Sequence, residues 1–281
     1  MKMTGNTILI TGGGSGIGLG LAAAFHQRGN QVIIAGRREA TLRQAAADFP
    51  GMAWRVLDQR DPAAISAFVG QLTLDYPALN VLINNAGIQR REDLTQPDPQ
   101  LIDDTVSTNL LGPLWLTGVL IPHLLRQPHA AVLNVTSELA FLPQAMTPTY
   151  CASKAALHAY TDALRCQLRQ TSVQVIEIIP PWVQTGLQGE WGYDPRAMPL
   201  PDFIEETLAL LSQQPEADEI VVERARALRF AEREGLTPSV FGRSTLTRKR
   251  KSTIKNVPGL CFSVLATYCL ACFPDENCVW M

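Results

Sequence analysis

A short strand, a glycine-rich turn and a helix follow one another within the first 28 residues, and few folds accommodate that succession. Residues 6–11 (Asn-Thr-Ile-Leu-Ile-Thr) read as a buried strand, and the pattern from about Gly16 to Arg28 reads as a helix. Between them runs Gly12-Gly13-Gly14-Ser15. A helix started this way offers unpaired N–H groups and the positive end of its dipole, which suits a pyrophosphate. Glycines let the backbone turn tightly and approach phosphates closely. The spacing of Gly12, Gly16 and Gly18 is G-x-x-x-G-x-G, not the commoner G-x-G-x-x-G. The alternative is a merely flexible turn. The strand–turn–helix setting favours a nucleotide site built from Gly12, Gly14, Ser15, Gly16, Ile17 and Gly18.

The alternation continues along the chain. Strands fit residues 31–35, 53–57, 80–84, 131–136 and 173–179, with a last one from Glu219 to Glu223. Helical patterns fit 39–48, 99–126, 148–170, 202–213 and 223–233. Strands alternating with helices form right-handed βαβ crossovers, so we expect an α/β fold: a doubly wound parallel sheet of about seven strands, Rossmann-type, in a single domain. The 281 residues, 46% hydrophobic and 18% charged, suffice for a large core without disulfide staples. A net charge of −2 argues against a nucleic-acid binder. The stretch 186–201 holds Gly186, Gly189, Gly192, Pro195, Pro199 and Pro201. It is long and turn-rich for a connection, as a substrate loop or lid would be.

The end of the second strand bears on the cofactor. An acid there would bind the ribose hydroxyls of NAD, but the residues are Gly36-Arg37-Arg38. An arginine at this place pairs with a 2′-phosphate, which favours NADP over NAD; the alternative is two solvated arginines at a helix start. Asp58, closing the third strand, either accepts an adenine amino group or caps the next helix.

Tyr150 and Lys154 are four apart in a helical pattern and share one face. A free tyrosine, with a pKa near ~10, exchanges protons poorly at neutral pH. A neighbouring ammonium favours the phenolate, so Lys154 is expected to lower the Tyr150 pKa and to hold a nicotinamide ribose. Ser137 ends a strand, on the side where open α/β sheets bind ligands. It either hydrogen-bonds a substrate oxygen or caps a turn. Asn85, Ala86 and Gly87 end another strand with small residues and free backbone groups. Asn109 interrupts a helical run in which asparagine is disfavoured. That predicts a side chain bonded to backbone or water, with a part in proton relay.

Together, Thr11–Gly18, Asn84-Asn85-Ala86-Gly87, Asn109, Ser137 and Tyr150-Cys151-Ala152-Ser153-Lys154 resemble the short-chain dehydrogenases/reductases, over roughly residues 4–235. The glycine spacing is similar to that of the family's short, single-domain branch. The resemblance implies a catalytic tetrad of Asn109, Ser137, Tyr150 and Lys154, and Arg37 as an NADP-selecting residue. Pro180 to Thr185 looks like the family's Pro-Gly-x-Val-x-Thr motif. It would bring Val183 and Thr185 to the carboxamide and phosphate of the cofactor, with Pro181 in place of the usual glycine. Stretches 136–141 and 150–158 with Pro180-Pro181 are similar to the bacterial dehydrogenases named for a D-alanyl-teichoic-acid operon. That name describes a gene neighbourhood and implies no substrate. The resemblance implies an NADP-dependent oxidoreductase working on a carbonyl/alcohol pair, with self-association common in the family. The other class to weigh is a sensor or partner protein that binds NADP(H) without turnover. Such proteins tend to lose the Tyr–Lys pair.

Residues 1–242 form the expected domain. The tail, 243–281, carries six Lys/Arg against two acids, hence +4, and leaves −6 for residues 1–242. It holds Cys261, Cys269, Cys272 and Cys278, and an uncharged run from 256 to 274. A membrane contact, a prenylation box at Cys278 and a Cys269/Cys272 metal or redox pair are its sharp readings. An extension outside the fold is the plain one, and we favour it. No membrane contact is expected apart from this tail. The first residues lack a signal or transit pattern, so a cytoplasmic protein is expected. Cys151 and Cys166 lie in an apolar helical pattern and are expected to be buried thiols. His26, His123, His129 and His158 show no ligand spacing, and no metal is expected. Trp182, Trp191 and Tyr193 either line an apolar pocket or pack the loop onto the body.

Overall fold

The computed structural model describes residues 1–235. Seven parallel strands form one sheet in the order β3-β2-β1-β4-β5-β6-β7. They are β1 (Thr7–Thr11), β2 (Gln31–Gly36), β3 (Ala53–Val56), β4 (Leu79–Asn84), β5 (Ala130–Val135), β6 (Val173–Ile179) and β7 (Glu219–Val221). The helices are α1 (Gly16–Gln27), α2 (Glu39–Ala47), α3 (Pro62–Asp75), α4 (Pro99–Val106), α5 (Gly112–Leu124), α6 (Pro148–Leu168), α7 (Leu200–Gln213) and α8 (Glu223–Arg229). The expected doubly wound, Rossmann-type sheet of seven strands is present.

Strand side chains alternate between two cores, because successive residues point to opposite faces. Ile8 and Ile10 of β1 join Phe25 of α1 and Phe203 of α7 on one face. Leu9 joins Val69 of α3, Leu120 of α5 and Leu164 of α6 on the other. Both faces are covered, so the strands read as continuous apolar runs.

Two expectations need correction. The helix expected over 99–126 is broken by a π turn, Ser107–Leu111, between α4 and α5. A π turn spends an extra residue per turn and leaves the hydrophobic period readable on either side, so the pattern alone passes over it. Cys166 is exposed, unlike Cys151. It lies two residues past Leu164, which turns it away from the buried Leu157, Thr161, Leu164 and Leu168 stripe. The described residues belong to one compact unit. The expected extension over 243–281, with its cysteines and its prenylation and membrane readings, lies outside the described residues. Among the described residues no helix is long and apolar enough to cross a membrane.

Candidate active site

The strand order reverses between β1 and β4, and in open α/β sheets ligands bind at such a reversal, beyond the carboxyl ends of the strands. Thr11, at the end of β1, ties the two sides together. Its Oγ1 accepts the N–H groups of Asn85 and Ala86, each at 3.0 Å, and its carbonyl accepts Asn85 Nδ2 at 2.9 Å. The Asn85–Gly87 run is thereby laced to the root of the glycine turn. Gly12 lies at φ +66°, in the left-handed region that favours glycine, and donates its N–H to Ala35 O at 2.8 Å. A Cβ on Gly18 would stand 2.4 Å from both Gly12 O and Asn85 Nδ2, so only glycine permits this approach.

The turn forms a cradle. The N–H groups of Ser15, Gly16 and Ile17 have no hydrogen-bond partner among the described residues, and the first turn of α1 carries no acid. Ser15 is the N-cap residue, yet its side chain makes no capping bond. Gly14 faces Thr41 on α2, and a Cβ on Gly16 would touch Thr185 at 3.4 Å. Thr185 therefore stands against the cradle although 169 residues separate it from Gly16. Unpaired donors at a positive helix end, walled by small residues, fit a dinucleotide phosphate.

Arg37 and Arg38 are exposed between β2 and α2, with Arg38 at the N-cap position. Asp58 is gripped by Arg60, Oδ2 to Nη2 2.7 Å, and Arg60 also reaches Asp104 at 2.8 Å. The Arg60 hydrogen bond holds the Asp58 carboxyl below its ordinary range, and Arg37 adds to this. The helix-capping alternative for Asp58 is corrected. Asp61 caps α3, accepting the N–H groups of Ala63 and Ala64.

Ser137 follows β5 at the same end of the sheet and caps a short 3-10 turn, Glu138–Ala140, by accepting Leu139 N–H at 3.2 Å. The plain capping role is thus filled on the acceptor side of the hydroxyl, and its hydrogen is left to serve the Tyr150 phenol oxygen. Tyr150 and Lys154 lie on one face of α6, both buried. Lys154 Nζ donates to Val135 O at 2.7 Å and stands 5.8 Å from the centroid of the Tyr150 ring. Burial lowers the Lys154 pKa to about 8, against an opposing pull from Glu177. Burial also pushes the Tyr150 phenol above its ordinary value, with a hydrogen bond to Ser137 acting the other way. Lys154 lowering the phenol was the expected direction. Here the ammonium is tied to a carbonyl, and desolvation of the ring dominates.

Asn109 sits in the π turn and is fully buried. Its Oδ1 accepts Ile88 N–H at 2.8 Å, and its Nδ2 donates to Ile88 O at 2.9 Å and to Ser153 Oγ at 3.2 Å. The expected backbone bonding is present. A Cβ on Gly87 would lie 3.4 Å from Asn109 Oδ1 and 3.8 Å from Lys154 Nζ, which brings Gly87, Asn109 and Lys154 together. Pro180 O accepts Glu138 N–H at 3.0 Å, Val183 bridges to Met198, and Thr185 caps the 3-10 stretch Gly186–Tyr193. Pro181, in the usual glycine position, has no N–H to give. The next N–H, on Trp182, donates to Glu138 Oε1 at 3.2 Å.

Several further groups near the site belong to no sequence motif. Glu138 is buried, and burial pushes its carboxyl up to about 8. Glu177 is buried in β6 and bonded to Thr136 and His158. A lone acid in the apolar run Val173–Ile179 was the available signal for it. Across the mouth, Arg91 stacks on Trp191 with its Cζ 3.8 Å from the ring, and Gln188 Nε2 donates to Gln89 Oε1 at 2.9 Å. These contacts join loop 186–201 to the segment after Gly87. Trp191 and Tyr193 remain exposed, so neither packs the loop into the body.

The family model for short chain dehydrogenases matches residues 6–195. The oxidoreductase DltE of Bacillus subtilis is 43% identical over 239 residues, covering 83% of this chain and 94% of that protein. Among solved structures, the 3-ketoacyl-(acyl-carrier-protein) reductase of Brucella melitensis complexed with NADH superposes with a TM-score of 0.72 at 26% identity, covering 80% of this chain and 100% of that one. A closed form of serine dehydrogenase complexed with NADP+ superposes with a TM-score of 0.69 at 25% identity, covering 76% and 92%. The cradle at the strand reversal, the extent of the family match and these likenesses agree, and the chain belongs to the short-chain dehydrogenase family of oxidoreductases.

Proposed function

We propose that the chain is an NADP-dependent oxidoreductase that interconverts a carbonyl and an alcohol, with Tyr150 exchanging the proton. The observation that carries this is the gathering of Ser137, Tyr150, Lys154 and Asn109 beside the glycine cradle, at the carboxyl ends of the central strands. When bound, the nicotinamide supplies or accepts the hydride. The chain does the rest. Ser15, Gly16, Ile17 and Thr185 hold phosphate, Arg37 and Arg38 take the 2′-phosphate, and Asp58 meets the adenine. Asn85, Ala86, Gly87, Pro180 and Val183 line the nicotinamide half. Ser137 holds the substrate oxygen, Tyr150 gives or takes its proton, and Lys154 stabilises the phenolate and the ribose. Asn109, whose side chain is spent on Ile88 and Ser153, holds the wall beside Lys154. The substrate is a small molecule admitted under loop 186–201. A cytoplasmic, self-associating protein remains our expectation from sequence.

The second reading is a protein that binds NADP(H) without turnover. Burial raising the Tyr150 phenol is the observation on its side. Fluorescence titration with NADPH and NADH, followed by a carbonyl panel, separates the two. Tight NADPH binding with turnover supports the enzyme. Binding without turnover across the panel supports the sensor, and binding of neither cofactor overturns both.

A further inference from the structure

We propose that Glu177 is a positioning residue for the proton step: its buried carboxylate, held by Thr136 and His158, is the counter-charge that keeps Lys154 an ammonium. The inference rests on the enzymatic role of Lys154 proposed above. Lys154 is 4% exposed, and its hydrogen bond goes to a neutral carbonyl, Val135 O. A buried charge without compensation tends to neutralise instead. Compensation comes from the next residue along. Thr136 Oγ1 donates to Glu177 Oε1 at 2.6 Å, so Val135 and Thr136 tie the ammonium and the carboxylate to adjacent peptides.

The carboxylate is no accident of a surface strand. Glu177 is 0% exposed, in a strand of apolar neighbours. It stands in a polar row that crosses four strands: Asn84 pairs with Asn134, Asn134 with Glu177, and Glu177 with Glu219. On α6, Tyr150, Lys154 and His158 follow at four-residue spacing along one face. His158 Nδ1 lies 2.7 Å from Glu177 Oε2. The Glu177 charge pulls Lys154 back towards the ammonium, against burial.

Other charged groups surround this one. On α6 they are His158 and Asp162, with His158 Nε2 3.6 Å from Asp162 Oδ2. On β7 it is Glu219, and on α8 Arg229. His158, Glu177 and Glu219 bring ligand atoms within 4.8 Å of one another, a spacing a metal could use. Arg229, however, already holds both Glu219 oxygens, at 2.9 and 2.5 Å. Glu219 is thereby neutralised, and Glu177 is left to balance His158 and Lys154.

The test reads Lys154 directly, without turnover. The full chain is labelled with ¹³C,¹⁵N-lysine, and the Nζ and Cε signals are titrated by NMR, with K154M assigning the signal. In E177Q the Lys154 midpoint should fall by about one pH unit, as loss of a nearby opposite charge requires. In H158Q, which removes the imidazole whose protonated form draws on the same carboxylate, the midpoint should rise. An unmoved midpoint in E177Q overturns the proposal. Should E177Q fail to fold, its signal joins the exposed lysines near ~10.4; H158Q then decides, and no rise there overturns the proposal. Failure here leaves Tyr150 catalysis standing. Turnover retained by Y150F would instead sink the catalytic reading and leave the lysine titration as measured.

Discussion

Asn109 and Ile88 are paired in both directions: the Asn109 amide accepts the Ile88 N–H at 2.8 Å and donates to the Ile88 carbonyl at 2.9 Å. The side chain imitates a strand partner and fixes the segment that follows Asn85-Ala86-Gly87. Asn109→Ala would strip both Ile88 groups of their partner inside the protein. Each unmade bond costs about 1–3 kcal/mol. We expect a lower thermal midpoint together with weaker cofactor binding, read by calorimetry and nicotinamide fluorescence. An unchanged midpoint would mean that water replaces the amide without loss.

Tyr150→Phe should lower kcat by about 10²–10⁴, the usual worth of a positioned acid or base. The ring is buried, and phenylalanine keeps its packing. NADPH affinity should stay within about twofold. Full turnover in this variant would remove Tyr150 from the mechanism.

Arg37→Ala should weaken NADPH binding and leave NADH binding alone. Losing a hydrogen bond to a charged group costs about 1.5–3 kcal/mol, or roughly 10- to 100-fold in Kd. Arg37 is exposed at the end of β2, so the fold should be unaffected. Equal loss for both cofactors would show that it does not read the 2′-phosphate.

Glu138 predicts a pH dependence of stability. Its carboxyl is pushed up to about 8 by burial, far above its ordinary value of 4.5. The folded state then holds a proton that the unfolded state has released, so stability falls as pH rises from about 4.5 to about 8. Glu138→Gln keeps a carbonyl oxygen for the Trp182 N–H and removes the titration. The variant should match the wild type near pH 4 and exceed it at pH 9, by roughly 1–4 kcal/mol on the ~1.4 kcal/mol-per-unit scale. Parallel melting curves across that range would refute the assignment.

Arg91 stacks on Trp191 across the mouth, and such exposed cation–π contacts are worth about 0.5–1 kcal/mol. Arg91→Ala should raise KM for the carbonyl substrate about two- to fivefold with little change in NADPH affinity. It should also speed proteolytic cleavage within 186–193. Unaltered cleavage and KM would mean that the loop is held by other contacts, such as Gln188 with Gln89.

Much of the architecture was legible. The βαβ alternation, the number of strands and the glycine turn follow from short-range patterns. Features to which a periodic pattern is insensitive were not legible. The π turn at Ser107–Leu111 leaves the hydrophobic period intact on either side, and Cys166 shares a helix with Cys151 but not its face. The capping alternative for Asp58 fails because the cap of α3, Asp61, stands only three residues on. Within the candidate site, Tyr150 and Lys154 stood out through four-residue spacing on one helix. Glu138 and Glu177 did not, because their partners come from other strands and loops.

Local sequence determined what could be decided over a few residues. It sets where strands and helices start, where glycine must turn the chain, and which side chains share a helix face, since these follow from backbone sterics and periodicity. Tertiary structure alone decided which distant groups meet. It brought Thr185 to Gly16, Ile88 to Asn109, and Thr136 and His158 to Glu177. It also decided the sign of the Tyr150 shift. A pKa depends on how much water the fold removes and which charges it brings near, and neither quantity is a property of spacing along the chain.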